Sequence, residues 1–382
     1  MAGIVAARVH RYLLPLRKPW RTAAGGLTGR EGWLVRIDVD DGRSGYGDCA
    51  PLAASGTETA ATAKAALGDH LRRLTGLSAA DALATLDRTP GNKAPAARCA
   101  VETALLDLIA QQCCLPLANL LKDASGSVTD VRPTTSVTLN AALGSLSDVT
   151  DETILAACAA GFRVLKLKVG VCAVEHEVAR LHRVTTLLPT GVVLRLDANR
   201  AWRASDAVRF VRACAGQPVD MIEEPLAAPQ IEALRRLQSS TAIAIAVDES
   251  AAALNMQRLL DTRPIRRLVL KPARCAGLLR AIGFARHAAD AGFECVITST
   301  VDSACGVAAA AHLAAAVDNG LAHGLATSSW LAEDTGAPPQ ITNGRLLVSQ
   351  KPGLGFSPWP NLDFAEVVRH QGDAEQQASS AR

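Results

Sequence analysis

From Thr134 onward the chain alternates short apolar runs with longer runs whose apolar positions recur at helical spacing. Strands are expected at 135–140, 163–168, 192–197, 219–223, 243–247, 267–271, 294–298 and near 321–326. Helices are expected between them at 148–160, 174–188, 204–215, 230–238, 253–260, 277–291 and 304–317. Strands so uniformly apolar are buried on both faces, as in a parallel sheet wrapped in helices. Seven to eight strand–helix units favour closure into a (β/α) barrel over an open doubly wound sheet. No Gly-x-Gly-x-x-Gly follows an early strand, which weakens a dinucleotide-binding alternative.

The chain before Thr134 reads as α+β. Ile4 to Asp48 is patterned as an antiparallel sheet, and Trp33–Asp40 alternates well before a turn at Asp41-Gly42. Thr22 to Gly29 is a glycine-rich connection that an enzyme could use as a lid. A second loop at Pro51–Gly56 leads into an Ala-rich helix from Glu58 to about Leu74, with further helices at 79–87 and 96–112. The last carries Val101, Leu105, Leu108 and Ile109 at helical spacing, with Pro95 just ahead of it. The expected division is residues 1–130 for this domain, 131–340 for the barrel, and 341–382 for a segment returning to the N-terminal domain. The polar, aperiodic tail Gln371–Arg382 is expected to be disordered.

Composition narrows the class of protein. Over 382 residues, 49% hydrophobic and 20% charged content describes an ordinary globular chain, and 3% aromatic content makes its core aliphatic. A formal charge of +3, with no basic run or acidic tail, gives no reason to expect a nucleic-acid partner. The ten cysteines form no Cys-x-x-Cys pair, and most lie in apolar stretches, where a thiol acts as a small hydrophobe. No secretory signal is read at the N-terminus and no apolar run reaches membrane-spanning length, so the expected setting is the cytoplasm, away from membranes.

Charge enters at the strand ends. In Val164–Val169, Leu165 and Leu167 face one way, Lys166 and Lys168 the other. Three later strands close on Asp197, Glu223 and Asp248, and a fourth on Lys271. In a parallel barrel these ends gather at one mouth. Any one acid could merely cap the following helix. Three at consecutive strand ends, flanked by lysines, argue for a metal site beside amine bases. Hard oxygen donors with three negative charges suit Mg²⁺, with Mn²⁺ as substitute, and suit zinc poorly. Positions left open would take the carboxylate of a small-molecule substrate, and Asn199 and Glu249 stand where they could orient the ligands. A nearby cation lowers a lysine's pKa, and Lys166 adds to that positive field. The chemistry favoured is removal of a proton α to a carboxylate, by Lys168 or Lys271.

The motifs Lys166-Leu-Lys168, Asp197-Ala-Asn199, Glu223-Glu-Pro225, Asp248-Glu-Ser250 and Lys271-Pro272 resemble the muconate-lactonizing subgroup of the enolase superfamily, over nearly the whole chain. The resemblance implies Asp197, Glu223 and Asp248 as Mg²⁺ ligands, Lys168 and Lys271 as the two amines beside substrate, and the N-terminal domain as a cap. Within the subgroup the chain is most similar to o-succinylbenzoate synthases, on Arg30–Arg36, Gly45–Leu52, His323–Thr327 and Leu331–Asp334. That family dehydrates a cyclohexadiene carboxylate on the menaquinone pathway. The implied roles are Lys168 as the base and Lys271 as stabiliser of the anionic intermediate.

Asp48 and Asp302 stand where the family more often has Glu, and Ala53-Ala54 where Pro-Gly is typical; Asp302 lies in Ser299-Thr-Val-Asp-Ser303 after the seventh strand. These departures leave the metal site alone and bear on substrate. The alternatives are N-acylamino acid racemisation, dipeptide epimerisation and muconate-type cycloisomerisation. Dipeptide epimerases generally carry Asp-x-Asp in the eighth strand, where this chain reads Leu325-Ala-Thr-Ser-Ser. A catalytically silent scaffold is a rival from another class, but it has no physical need to keep five buried charges. Barrels of this family often self-associate, so a homo-oligomer is a further expectation.

Overall fold

The computed structural model describes residues 2–22, 25–88, 93–124 and 134–369. The expected tail and the expected boundary at 130–131 lie outside them. Strands β1 (Ile4–Thr22), β2 (Gly25–Val39) and β3 (Ser44–Cys49) form an antiparallel sheet. Helices α1 (Ala60–Leu71), α2 (Ala79–Arg88) and α3 (Pro95–Gln112) pack with it, and α4 (Leu117–Ala124) follows. Ile4, Val35, Ile37, Leu67, Leu71, Leu105 and Leu108 form the heart of this layer. Gly45 and Gly47 let β3 lie against α3, since a Cβ at either would fall about 2 Å from a carbonyl oxygen of Ala104 or Ala100.

The glycine-rich stretch is not a free loop. Gly25–Gly29 belong to β2 and pair with β1, Leu27 opposite Trp20 and Gly29 opposite Pro15. A backbone ladder needs no side chains, so glycines extend the hairpin arm. Ala23 and Ala24 lie outside the described residues.

The barrel strands are β5 (Asn140–Ser145), β6 (Val164–Lys168), β7 (Val193–Asp197), β8 (Val219–Glu223), β9 (Ala244–Val247), β10 (Arg267–Leu270) and β11 (Glu294–Ile297). They form one seven-stranded parallel sheet in chain order, with helices between them. In place of a regular eighth strand, His323 and Gly324 bridge the two edges. The N–H of His323 donates to Thr138 at 2.8 Å and its carbonyl accepts from Asn140 at 2.9 Å; the N–H of Gly324 donates to Ile297 at 2.9 Å. The sheet is thereby closed into a barrel.

The first barrel strand begins later than the expected 135–140. Ser136–Thr138, here β4, pairs antiparallel with β13 (Arg345–Leu347), which also pairs with β12 (Ile341–Thr342). The apolar run from 136 to 145 thus serves two sheets in turn. The C-terminal segment divides: β12 and β13 stay with β4, while β14 (Ala365–Arg369) adds to the capping sheet beside β1. The helix expected at 253–260 is two, Ser250–Leu254 and Met256–Thr262, broken where Asn255 takes φ 65° and its side chain caps the second.

Leu165, Leu167, Leu194, Leu196, Ile222 and Ile245 pack outward into the shell of helices. Inside the barrel, Met221, Ala246 and Val269 form a small apolar layer of their own. In register with Met221 and Ala246, two buried arginines share one acid: Arg195 Nε donates to Asp220 at 2.8 Å and an Arg267 guanidinium nitrogen donates to the same oxygen at 2.7 Å, while Arg267 also reaches Glu294.

Candidate active site

Strand register assembles the acids. In adjacent parallel strands Lys168 stands opposite Asp197, and Asp197 opposite Glu223. Asp248 directly follows β9 and Lys271 directly follows β10. The three acids therefore come from three neighbouring strands, and the two lysines from the strands on either side. Around the closed ring β6 and β10 are four positions apart in either direction, so Lys168 and Lys271 rise on opposite sides of the mouth.

The acids are buried and engage the cations. Lys166 Nζ lies 2.9 Å from Asp197 and 2.7 Å from Glu223. Lys168 Nζ donates to Asp197 at 2.7 Å and to the Asn199 side-chain oxygen at 2.5 Å. Lys271 Nζ donates to Asp248 at 2.5 Å and sits 3.4 Å from Glu249. Among the described residues no three acids, histidines or cysteines are spaced as a closed metal-ligand set. Each carboxylate instead turns to an ammonium or a guanidinium.

The electrostatics follow from that pairing. Burial raises the Glu223 carboxyl, and the charge of Asp197 adds to it; despite Lys166, the group is pushed up to about 7. Burial works against ionising Asp197 and Asp248 as well, yet the amines around them overcome it and hold both well below the usual carboxylate range. Burial also opposes charge on Lys271, but Asp248 and Glu249 outweigh it and raise its pKa. The lowered lysine pKa expected from the sequence is thus not the state of this constellation by itself: the acids that would share a dication here hold Lys271 charged. The donor set suits a hard dication. Three buried carboxylates at one mouth carry more negative charge than one site keeps without cations, and Glu223 is the one that amines alone leave undercompensated.

Two residues not singled out from the sequence brace this arrangement. Glu224, buried and at φ 47°, accepts the N–H of Asp248 and of Ser250, each at 2.8 Å, and the Ser250 hydroxyl at 2.5 Å. It ties the end of β8 to the turn carrying Asp248. Arg274 donates to the second Asp248 oxygen at 2.5 Å and to the Val269 carbonyl at 3.1 Å. Glu224 stands inside the Glu223-Glu-Pro225 motif and Arg274 two residues beyond Lys271-Pro272, and their charge near a strand end was the available signal. Asn199 joins the cluster through Lys168, and its own N–H donates to Asp197 at 3.0 Å. Ser299 instead bonds Thr327 at 2.7 Å across the closure of the barrel. Asp302 accepts from the Thr300 hydroxyl at 2.6 Å and faces Asp48 of the cap rather than the lysines.

A parallel barrel under an α+β cap, with acids on three successive strand ends between two amines, defines a class that known proteins share. Residues 4–122 match the mandelate racemase / muconate lactonizing enzyme N-terminal domain, and residues 150–361 match the enolase C-terminal domain-like family. The chain belongs to the enolase superfamily, in the muconate lactonizing/mandelate racemase group. It is 33% identical to an L-Lys-D/L-Arg epimerase of Methylococcus capsulatus, over 92% of this chain and 98% of that protein. It is 30% identical to an L-Ala-D/L-Glu epimerase of Bacillus subtilis, over 83% and 86%. A dipeptide epimerase of Enterococcus faecalis, solved with Mg and the dipeptide L-Leu-L-Tyr, superposes with a TM-score of 0.82 at 26% identity, covering 93% of this chain and 99% of that one. Among the described residues no helix is long and apolar enough to cross a membrane.

Proposed function

We propose that this protein is a Mg²⁺-dependent isomerase that inverts the α-carbon of an N-acylated amino acid. The observation that carries this reading is the placement of Lys168 and Lys271 on opposite sides of the mouth with the three acids between them. Asp197, Glu223 and Asp248 would hold the metal, whose positive charge makes the α-proton of a bound carboxylate acidic. Lys168 takes that proton on one face, and Lys271 returns one on the other. Lys166, between Asp197 and Glu223, fixes both and adds positive charge under the site. Asn199 orients Lys168, and Glu249 lies within reach of Lys271.

The relatives support inversion over elimination, since those described above are epimerases. The eighth segment bears on the substrate. Leu325 and Thr327 are buried, and no carboxylate lies between His323 and Trp330 to balance a free ammonium. A neutral acyl group on nitrogen therefore suits this chain better than the free amine of a dipeptide.

The dehydration suggested by the o-succinylbenzoate synthase resemblance would use the same Lys168 but no proton from Lys271. One assay separates them. With Mg²⁺ in D₂O, N-acetyl and N-succinyl amino acids should exchange their α-hydrogen and lose optical purity. An aromatic absorbance from the cyclohexadiene carboxylate, with no exchange into any N-acylated amino acid, would overturn the isomerase reading in favour of the lyase.

A further inference from the structure

Two acids outside the lysine–carboxylate cluster meet at the seam between cap and barrel. Asp48 stands near the end of β3, and Asp302 follows β11 on the barrel rim; they are only 9% and 8% exposed. Tyr12 donates its hydroxyl to one Asp48 oxygen at 2.6 Å, and the Ser303 N–H donates to the other at 3.0 Å. The Thr300 hydroxyl and N–H donate to Asp302 at 2.6 and 3.3 Å. Gly306 makes room for both: a Cβ there would fall 2.5 Å from the Asp48 carboxylate and 2.7 Å from the Asp302 Cβ. The nearby Arg30 guanidinium is committed to the carbonyls of Val301, Pro51 and Ala50, and it ion-pairs with neither acid.

We propose that Asp48, bonded across the seam to the Ser303 N–H and set beside Asp302, forms a latch that holds the capping sheet on the loop above the seventh barrel strand. A buried carboxyl beside a second acid does not ionise cheaply, so Asp48 retains a proton that an exposed aspartate would release. Burial, and then the charge of Asp302, push Asp48 up to about 7 even though Tyr12 and Ser303 favour its ionised form. The other groups facing the pair are Tyr12 on β1, Arg30 on β2, Cys49 on β3, Cys99 on α3 and Cys305 on the helix Ala304–Val317. Burial holds the phenol and the thiols well above their ordinary range, so the carboxyl proton is the one in play near neutrality. Ionising both acids would set two like charges across the seam that Val301, Tyr12, Leu14 and Leu331 otherwise close by apolar contact. Asp48 and Asp302 act as positioning residues, since they touch neither lysine of the site.

The sign can be tested without a substrate, so the test stands or falls apart from the proposed reaction. The folded seam keeps a proton that the unfolded chain releases near pH 4, so the pair's contribution to stability is lost as pH rises from about 4 to about 7. Urea unfolding of the full chain at pH 5 to 8 should show wild type losing stability relative to Asp302→Asn, which keeps the shape and removes one charge. Comparing variant with wild type isolates the pair from Asp107 and Glu223, which titrate late for other reasons. The Ser303 amide, corrected for intrinsic exchange, should lose hydrogen-exchange protection with rising pH in wild type and keep it in Asp302→Asn. A constant offset between the two proteins at every pH would overturn the latch. If Asp302→Asn does not fold, a carbon-13 titration of wild-type aspartates decides: a late-titrating Asp48 carboxyl supports the proposal, and its full ionisation by pH 5 refutes it.

Discussion

At the residue scale, the site reduces to which charges three strand ends bring together. If Lys168 and Lys271 serve opposite faces, their removal should separate exchange from inversion. Lys168→Ala and Lys271→Ala should each abolish racemisation, yet each should still exchange the α-hydrogen of the one enantiomer whose proton faces the remaining amine. Chiral chromatography combined with proton NMR in D₂O reads both at once, and unaltered racemisation in either variant would remove that lysine from the mechanism. Glu223→Gln should weaken Mg²⁺ binding, because one of three ligand charges is gone; isothermal titration with Mg²⁺ measures this without turnover. Glu224→Gln should also lower Mg²⁺ affinity, by about tenfold, while folding is retained, because Glu224 fixes the turn carrying Asp248. Unchanged titration would leave Glu224 with a purely structural part.

At the element scale, alternation along β6 and β7 does two jobs. Leucines pack outward into the helices, and the alternate positions turn into the barrel. There Arg195 is 1% exposed and tied to Asp220 and to the Ala322 carbonyl at 2.6 Å. Removing one member of a buried ion network leaves its partner poorly compensated. Arg195→Met should therefore cost about 3 kcal/mol in urea unfolding.

At the scale of the whole molecule, the barrel is closed and joined to its surroundings by buried polar groups that titrate. His323, at the closure, accepts the Ile297 N–H at 3.0 Å on its ring nitrogen, and burial lowers its pKa to about 3. His312 accepts the N–H of Ala118 on α4 at 3.1 Å, and burial lowers it to about 4. Both are neutral when folded and would charge near pH 6.5 when unfolded. Their stabilisation is complete above about pH 6.5 and drains as pH falls toward 4 and then 3. Thermal unfolding between pH 7 and 4 should show this loss, and His323→Asn should reduce its slope; an identical slope would assign the acid lability elsewhere. The latch acts in the opposite direction over an overlapping range, so it offsets part of this acid loss.

The sequence by itself determined the sequence of strands and helices, the class of fold, and the identity of the charges at the strand ends. Those are local matters: period two or period 3.6, and which residue terminates an apolar run. It also marked Asp48 and Asp302, but only as two separate departures. What the tertiary structure decided is which groups share a space. Register set Lys168, Asp197 and Glu223 side by side, because parallel strands align by hydrogen bonding that no one strand encodes. Closure by only His323 and Gly324 was illegible, since two bridged residues carry no period. The same holds for the division of 136–145 between two sheets and for the meeting of Asp48 with Asp302. Each depends on contacts between segments far apart in the chain, and such contacts exist only once the core has brought them together.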